Sequence, residues 1–100
     1  MSKQNNRLFV YGIFLGEVNR KNFGMSNPQY ATVANYITVG DTIVQAVEVM
    51  NVGVALTGLT VDVDPTYWQR LDRLEGGYDR IIVTTTDGEP VNMYVAPINN

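Results

Sequence analysis

The chain has 100 residues, 45% hydrophobic and 17% charged, with a net charge of −3. That is a globular composition, and its negative balance argues against a nucleic-acid groove or an anionic membrane surface. Cysteine and histidine are both absent, which excludes disulfides, thiolate or histidine-ligated zinc, a cysteine nucleophile and a Ser-His-Asp triad. Any catalysis must come from carboxylates, tyrosines, lysines or backbone amides.

A single domain, 1–100, is expected, with loose tails at 1–6 and 97–100. Met1 to Asn6 is polar, with no apolar signal region. No stretch approaches the ~20 apolar residues of a membrane span, so a cytoplasmic protein is the default expectation.

Arg7 to Tyr11 is a short, nearly continuous apolar run, which predicts a buried strand stopped by Gly12. Residues 13–19 read as a loop, and Arg20 to Met25 as a short helix. Ser26-Asn27-Pro28 signals a turn. Tyr30 to Val39 reads as a strand, bent in places. A turn at Gly40-Asp41 leads to a strand over Thr42 to Met50, and another turn falls at Asn51 to Gly53. Val54 to Val63 predicts a strand with a bulge at Gly58.

Asp64-Pro65 then opens a helix, with Asp64 as the cap and Pro65 at the first helical position. Tyr67, Leu71 and Leu74 recur at i, i+4, i+7, and Trp68, Leu71 and Glu75 at i, i+3, i+7. Glu75 therefore shares a face with Trp68 and Leu71, while Arg70, Asp72 and Arg73 look outward. Gly76 or Gly77 is expected to close the helix in a left-handed conformation. Tyr78 to Thr86 and Pro90 or Val91 to Ala96 form a hairpin around Asp87-Gly88. Six strands and one main helix predict an α+β fold, a small mixed barrel or curled sheet plugged by the helix.

Two stretches carry candidate chemistry. Glu75 lies on the apolar side of a helix, at the end where the dipole is negative. Both effects disfavour its charged form and raise its pKa, which suits a general acid/base. A merely solvated helix-end glutamate is the alternative. Tyr11-Gly12-Ile13-Phe14 follows the first strand, where successive amides can point one way and hold an anion; a plain turn is the alternative there. Ile13 and Phe14 are apolar, so polar recognition would come from amides or from Tyr11. Asp62 and Asp64 share a strand side, but read better as a solvated residue and a helix cap than as a cation site. Asp87 and Glu89 read as a solvated hairpin tip.

Taken together, Tyr-Gly-x-φ-Leu after the first strand (φ apolar), then Leu-Asp-x-φ-Glu-Gly, then Tyr-x-Arg opening a strand, resemble the gamma-glutamyl cyclotransferase-like family. Asn19 resembles an asparagine that often follows the first motif, and Tyr94 a tyrosine that commonly ends the pattern. The match in element order runs from about Arg7 to about Ala96. In that family the first motif is usually Tyr-Gly-(Ser/Thr)-Leu, so Ile13 and Phe14 depart from it.

The resemblance implies a small barrel with a cavity between the first loop and the glutamate. It implies Glu75 as the acid/base, the amides of Tyr11, Gly12, Ile13 and Phe14 as the holder of the substrate's carboxylate, and Tyr78, Arg80 and Tyr94 as lining or support. For Arg80, pairing with Asp79 or Asp72 is the favoured role. It further implies release of 5-oxoproline and an amine from a gamma-glutamyl amide, with no metal or cofactor. A non-catalytic protein holding a small anionic ligand in the same pocket is the alternative function. No nucleic-acid or membrane partner is expected, and monomer and homodimer stay open.

Overall fold

The apolar run at the start of the chain becomes β1 (Arg7–Val10), the central strand of a mixed sheet, in a computed structural model that describes residues 5–40, 45–50 and 53–97. β1 is covered on both faces, which is why it reads as continuous apolar sequence instead of alternating. Leu8 and Val10 point to one core with Phe14, Val61, Trp68, Leu71 and Tyr94. Phe9 points to the other, with Val33, Tyr36, Ala46 and Met93.

The remaining described elements are α1 (Glu17–Asn22), β2 (Met25–Ala34), β3 (Tyr36–Val39), β4 (Gln45–Glu48), β5 (Ala55–Val63), α2 (Trp68–Leu74), β6 (Asp79–Thr84) and β7 (Pro90–Val95), with 3-10 turns at Gly12–Leu15 and Pro65–Tyr67. The main sheet runs β2-β5-β1-β7-β6, and β3-β4 form a second, two-stranded sheet. β1 pairs parallel with β7 and antiparallel with β5. The α+β class holds, but the sheet is not a closed barrel. Its edges, β2 and β6, share no ladder. Near them a single backbone bond runs from the Thr86 amide to the Thr32 carbonyl, beside a 2.6 Å contact between the two threonine hydroxyls.

Several local expectations are corrected. Ser26-Asn27-Pro28 does not end a strand. It is a bulge inside β2, where the register against β5 shifts between Ser26 and Gln29 and Asn27 takes a φ of 52°. An edge strand tolerates Pro28 there because the missing amide costs no ladder bond. The strand expected over Tyr30 to Val39 is two strands divided at Asn35, whose φ is 69°. The bulge expected at Gly58 is absent: Gly58 pairs in register with Ala31. A Cβ there would lie 2.3 Å from the Val10 carbonyl oxygen and 2.8 Å from Phe9 Cζ, so the glycine permits β5 to press against β1.

The early helix spans Glu17–Asn22, not Arg20 to Met25, and the loop before it contains a 3-10 turn. Neither Gly76 nor Gly77 is left-handed. The helix stops through Glu75 itself, whose φ and ψ are −96° and 36°, and the Tyr78 amide closes the next turn onto the Glu75 carbonyl. The hairpin loop holds three residues, 86–88, between Thr85 and Glu89, with Gly88 at φ 92°.

Polar ties replace some expected solvation. Arg7 bonds Asp62 at 2.9 Å, Glu89 at 3.1 Å and Thr60 at 2.7 Å. Asn5 and Asn6, expected in a loose tail, are fastened: Asn6 Oδ1 accepts from the Trp68 indole, and the Asn5 carbonyl from Asn92. The rest of the proposed tails, residues 1–4 and 98–100, and the parts of the predicted turns and strand at 41–44 and 51–52, lie outside the described residues. Among the described residues, no helix is long and apolar enough to cross a membrane.

Candidate functional site

The end of β1 positions the first wall of the site. Gly12, at φ 75°, turns the chain sharply into the 3-10 turn. In such a turn each amide reaches the carbonyl three residues back, so those of Gly12 and Ile13 lead it without an intrahelical partner. Tyr11 supplies no side-chain cap. The carbonyls, by contrast, are held from behind. Asn19 donates to the Ile13 carbonyl at 2.9 Å, and Arg20 to those of Phe14 at 3.1 Å and Leu15 at 2.6 Å. Phe14 is buried and packs edge-on against Phe23 at 5.3 Å, pinning the turn to the core.

The end of α2 positions the second wall. Asp64 caps the preceding turn by accepting from the Thr66 amide at 3.0 Å. Trp68 and Leu71 bury the inner face, and continuing that face by one turn brings Glu75 inward. A cavity of about 340 Å³ lies between the walls, within the usual range for small-molecule sites. Tyr11, Gly12, Ile13, Phe14, Glu75, Tyr78 and Tyr94 all line it, so the two stretches expected to carry the site meet in one hollow. Arg80 does not line it.

Glu75 is half-buried, and its carboxylate has no hydrogen-bond or ion-pair partner among the described residues. Burial alone pushes its pKa above the ordinary 4.5. Its charge is also close enough to push up the phenols of Tyr11 and Tyr94.

The two tyrosines are less free than the sequence implies. The Tyr11 hydroxyl donates to the Tyr94 carbonyl and accepts from the Ala46 amide at 3.1 Å. Burial, first, pushes its pKa up to about 12. Tyr11 therefore gives the cavity its ring and keeps its proton elsewhere. The Tyr94 hydroxyl donates to Asp72 at 2.6 Å, and burial followed by that bond pushes its pKa well up. Asp72 in turn pairs with Arg80 at 3.3 Å, and Arg80 lies 4.4 Å over the Trp68 ring. So Asp72, expected to look outward and to be a possible partner of Arg80, also anchors a cavity tyrosine, and Arg80 has the supporting role favoured for it.

Sequence reasoning missed three contributors. Leu74 lines the cavity next to Glu75; its helical spacing had placed it on the apolar stripe, but not at the mouth. Arg20 holds the loop carbonyls, and nothing local marks it for that. Ala46 reaches Tyr11 across 35 residues, a contact no pattern reveals.

The family described as gamma-glutamyl cyclotransferase, AIG2-like, matches residues 8–100. The chain belongs to that family. Solved structures agree on the fold. A protein of Arabidopsis thaliana solved in solution superposes with a TM-score of 0.76 at 21% identity, over 96% of this chain and 71% of its own. An uncharacterized protein from Pyrococcus horikoshii gives 0.74 at 18%, over 93% and 79%. A structure described as a gamma-glutamyl cyclotransferase gives 0.68 at 14%, over 94% and 68%. No curated protein matches the chain. Membership in this family points to a cyclotransferase-like class of activity.

Proposed function

We propose that the protein cyclises a gamma-glutamyl amide, releasing 5-oxoproline and a free amine, with Glu75 as the general acid/base. The observation that carries this reading is a half-buried carboxylate, unpartnered among the described residues, sharing an apolar cavity with the loop of residues 11–14. An unpaired acid in such a place costs stability, and sites of chemistry are where that cost is retained.

The reaction suits these means. The substrate's alpha-amine attacks its own gamma-carbonyl carbon. A C–N bond forms to close a five-membered lactam, and the C–N bond to the leaving amine breaks. Tethering supplies much of the help, on the order of 7–11 kcal/mol in the best cases. The alpha-amine enters largely as an ammonium. The alpha nitrogen loses two protons, one before attack and one as the lactam forms; Glu75, with its raised pKa, relays both to the leaving nitrogen, which departs as an ammonium, so the step balances without another reactant. The amides leading the Gly12–Leu15 turn hold the substrate carboxylate. Tyr78 and Tyr94 shape the walls.

Incubation with gamma-glutamyl amides, followed by mass spectrometry for 5-oxoproline, tests this. Product from the wild type and background from E75Q is the expected result; equal signals from both would sink it. A second reading, capture of a small anion without turnover, rests on Ile13, which brings no hydroxyl to the loop. Native mass spectrometry of protein taken from lysate separates the two: an intact stoichiometric ligand supports capture, and an empty pocket with turnover supports the enzyme.

A further inference from the structure

Cyclisation needs the substrate's alpha nitrogen held in place, and that nitrogen enters as an ammonium, which only donates hydrogen bonds. Among the described residues that line the cavity, the polar side chains able to accept are the Glu75 carboxylate and the phenols of Tyr11, Tyr78 and Tyr94. The loop carbonyls of Ile13, Phe14 and Leu15 are already taken by Asn19 and Arg20. The Tyr11 oxygen is spent in both directions, donating to the Tyr94 carbonyl and accepting from the Ala46 amide. Tyr78 is only partly buried and is tied to no partner among the described residues, so its hydroxyl can turn either way.

Tyr94 differs from both. Its one proton goes to Asp72 Oδ1 at 2.6 Å, a short, charge-assisted bond. A phenol oxygen whose proton is committed offers only lone pairs to whatever else it meets. Burial, and then that bond, push the Tyr94 pKa well up, so the proton stays on the phenol. Asp72 is held in turn: Arg80 Nε meets the same carboxylate oxygen at 3.3 Å, and the guanidinium lies 4.4 Å over the Trp68 ring. The Glu75 charge reaches the Tyr94 phenol, so a fixed acceptor and a bare carboxylate stand near each other in one cavity. The two acids, three residues apart, fall on neighbouring positions of the helix end. Asp72 is bonded, and Glu75 is not.

Resting on the cyclisation reading, we propose that the Tyr94 phenol oxygen accepts from the substrate's alpha-ammonium beside Glu75, and that Asp72 is the positioning residue that keeps the lone pairs, not the proton, turned to the substrate. Without Asp72 the phenol proton is free to point at the ammonium and repel it. A ligand lacking the alpha-amine gains nothing from either residue.

The test uses gamma-glutamyl-butylamide and its desamino counterpart, glutaric acid monobutylamide, which keeps the carboxylate and the amide. Calorimetry on E75Q gives affinity without turnover, and Y94F and D72A are added to that background. Each is expected to lower the ratio of amino to desamino affinity about 10-fold, the scale of one hydrogen bond to a charged group. With Glu75 intact, each should raise KM for gamma-glutamyl-butylamide more than it lowers kcat. A merely structural role would weaken both ligands together and leave the ratio unchanged, and the ratio is unaffected by any loss of folded protein. An unchanged ratio in Y94F, or a fall in Y94F with none in D72A, overturns the proposal while leaving cyclisation intact. If E75Q binds neither ligand, the KM values decide, and KM unchanged in Y94F and D72A overturns it. The expected ratios without 5-oxoproline from the wild type support it and overturn the cyclisation. Neither binding nor turnover overturns both.

Discussion

The two walls of the cavity are built on opposite terms. At the Gly12–Leu15 turn the carbonyls are bonded from behind by Asn19 and Arg20, Phe14 is locked in the core, and Tyr11 spends its hydroxyl on two backbone groups. At the end of α2 the Glu75 carboxylate is left unbonded among the described residues. One wall is fixed by satisfied hydrogen bonds. The other holds a half-buried acid without them. The contrast separates two kinds of residue: changes to the first wall should alter geometry and stability, and changes at Glu75 should alter chemistry with little harm to the fold.

The sharpest attempt to break that contrast is E75Q. Removing an acid/base of this kind is expected to lower kcat by about 10²–10⁴-fold, while urea unfolding at pH 7 shows stability equal to or above the wild type. A large loss of stability in E75Q would mean that the carboxylate is structural after all.

G58A comes next. Its added Cβ would meet the Val10 carbonyl at 2.3 Å, and β5 can relieve that only by moving off β1. A loss of about 1–3 kcal/mol is expected in denaturant unfolding, with KM raised because Val10 leads into the loop. Unchanged stability would show that β1 and β5 pack less tightly than described.

R20A removes the Nη1 group that donates to both the Phe14 and Leu15 carbonyls. About 1 kcal/mol of stability should be lost, in line with ordinary hydrogen bonds, and substrate KM should rise more than kcat falls. A pure kcat effect would argue against a holding role for the turn.

The smallest effect is on pH dependence. A carboxyl whose pKa is raised in the fold stabilises the protein fully below its unfolded value, near 4.5, and that contribution is lost as pH rises through the folded value. The stability of the wild type relative to E75Q should therefore fall across a window that starts near 4.5 and extends upward. The acid limb of kcat/KM should likewise sit above 4.5. A flat difference between pH 4 and 8 would mark Glu75 as solvated.

What the sequence revealed here depended on how local each cause was. Asp64-Pro65 and the spacing of Trp68, Leu71 and Glu75 act within two helical turns, and they placed the acid on the inner face correctly. The apolar run of β1 announced a strand covered on both sides. The open sheet was not legible, because closure depends on whether β2 and β6 meet, and they are far apart in sequence. Asn27-Pro28 looked like a turn because its backbone is turn-like; only its place on an edge strand makes it a bulge. The commitments of Tyr11 to Ala46, and of Tyr94 to Asp72, are tertiary contacts between polar groups with no periodic signature.

The Tyr11 oxygen joins β7 to β4, while its ring faces the hollow on the side of Glu75. A ligand that displaced the ring would have to strip bonds from two strands at once, one of them in the β3-β4 sheet. Tyr11 is accordingly a tied part of the cavity wall, whereas Ile13 and Leu74, 60% and 49% exposed, can be exchanged without disturbing any bonded side chain.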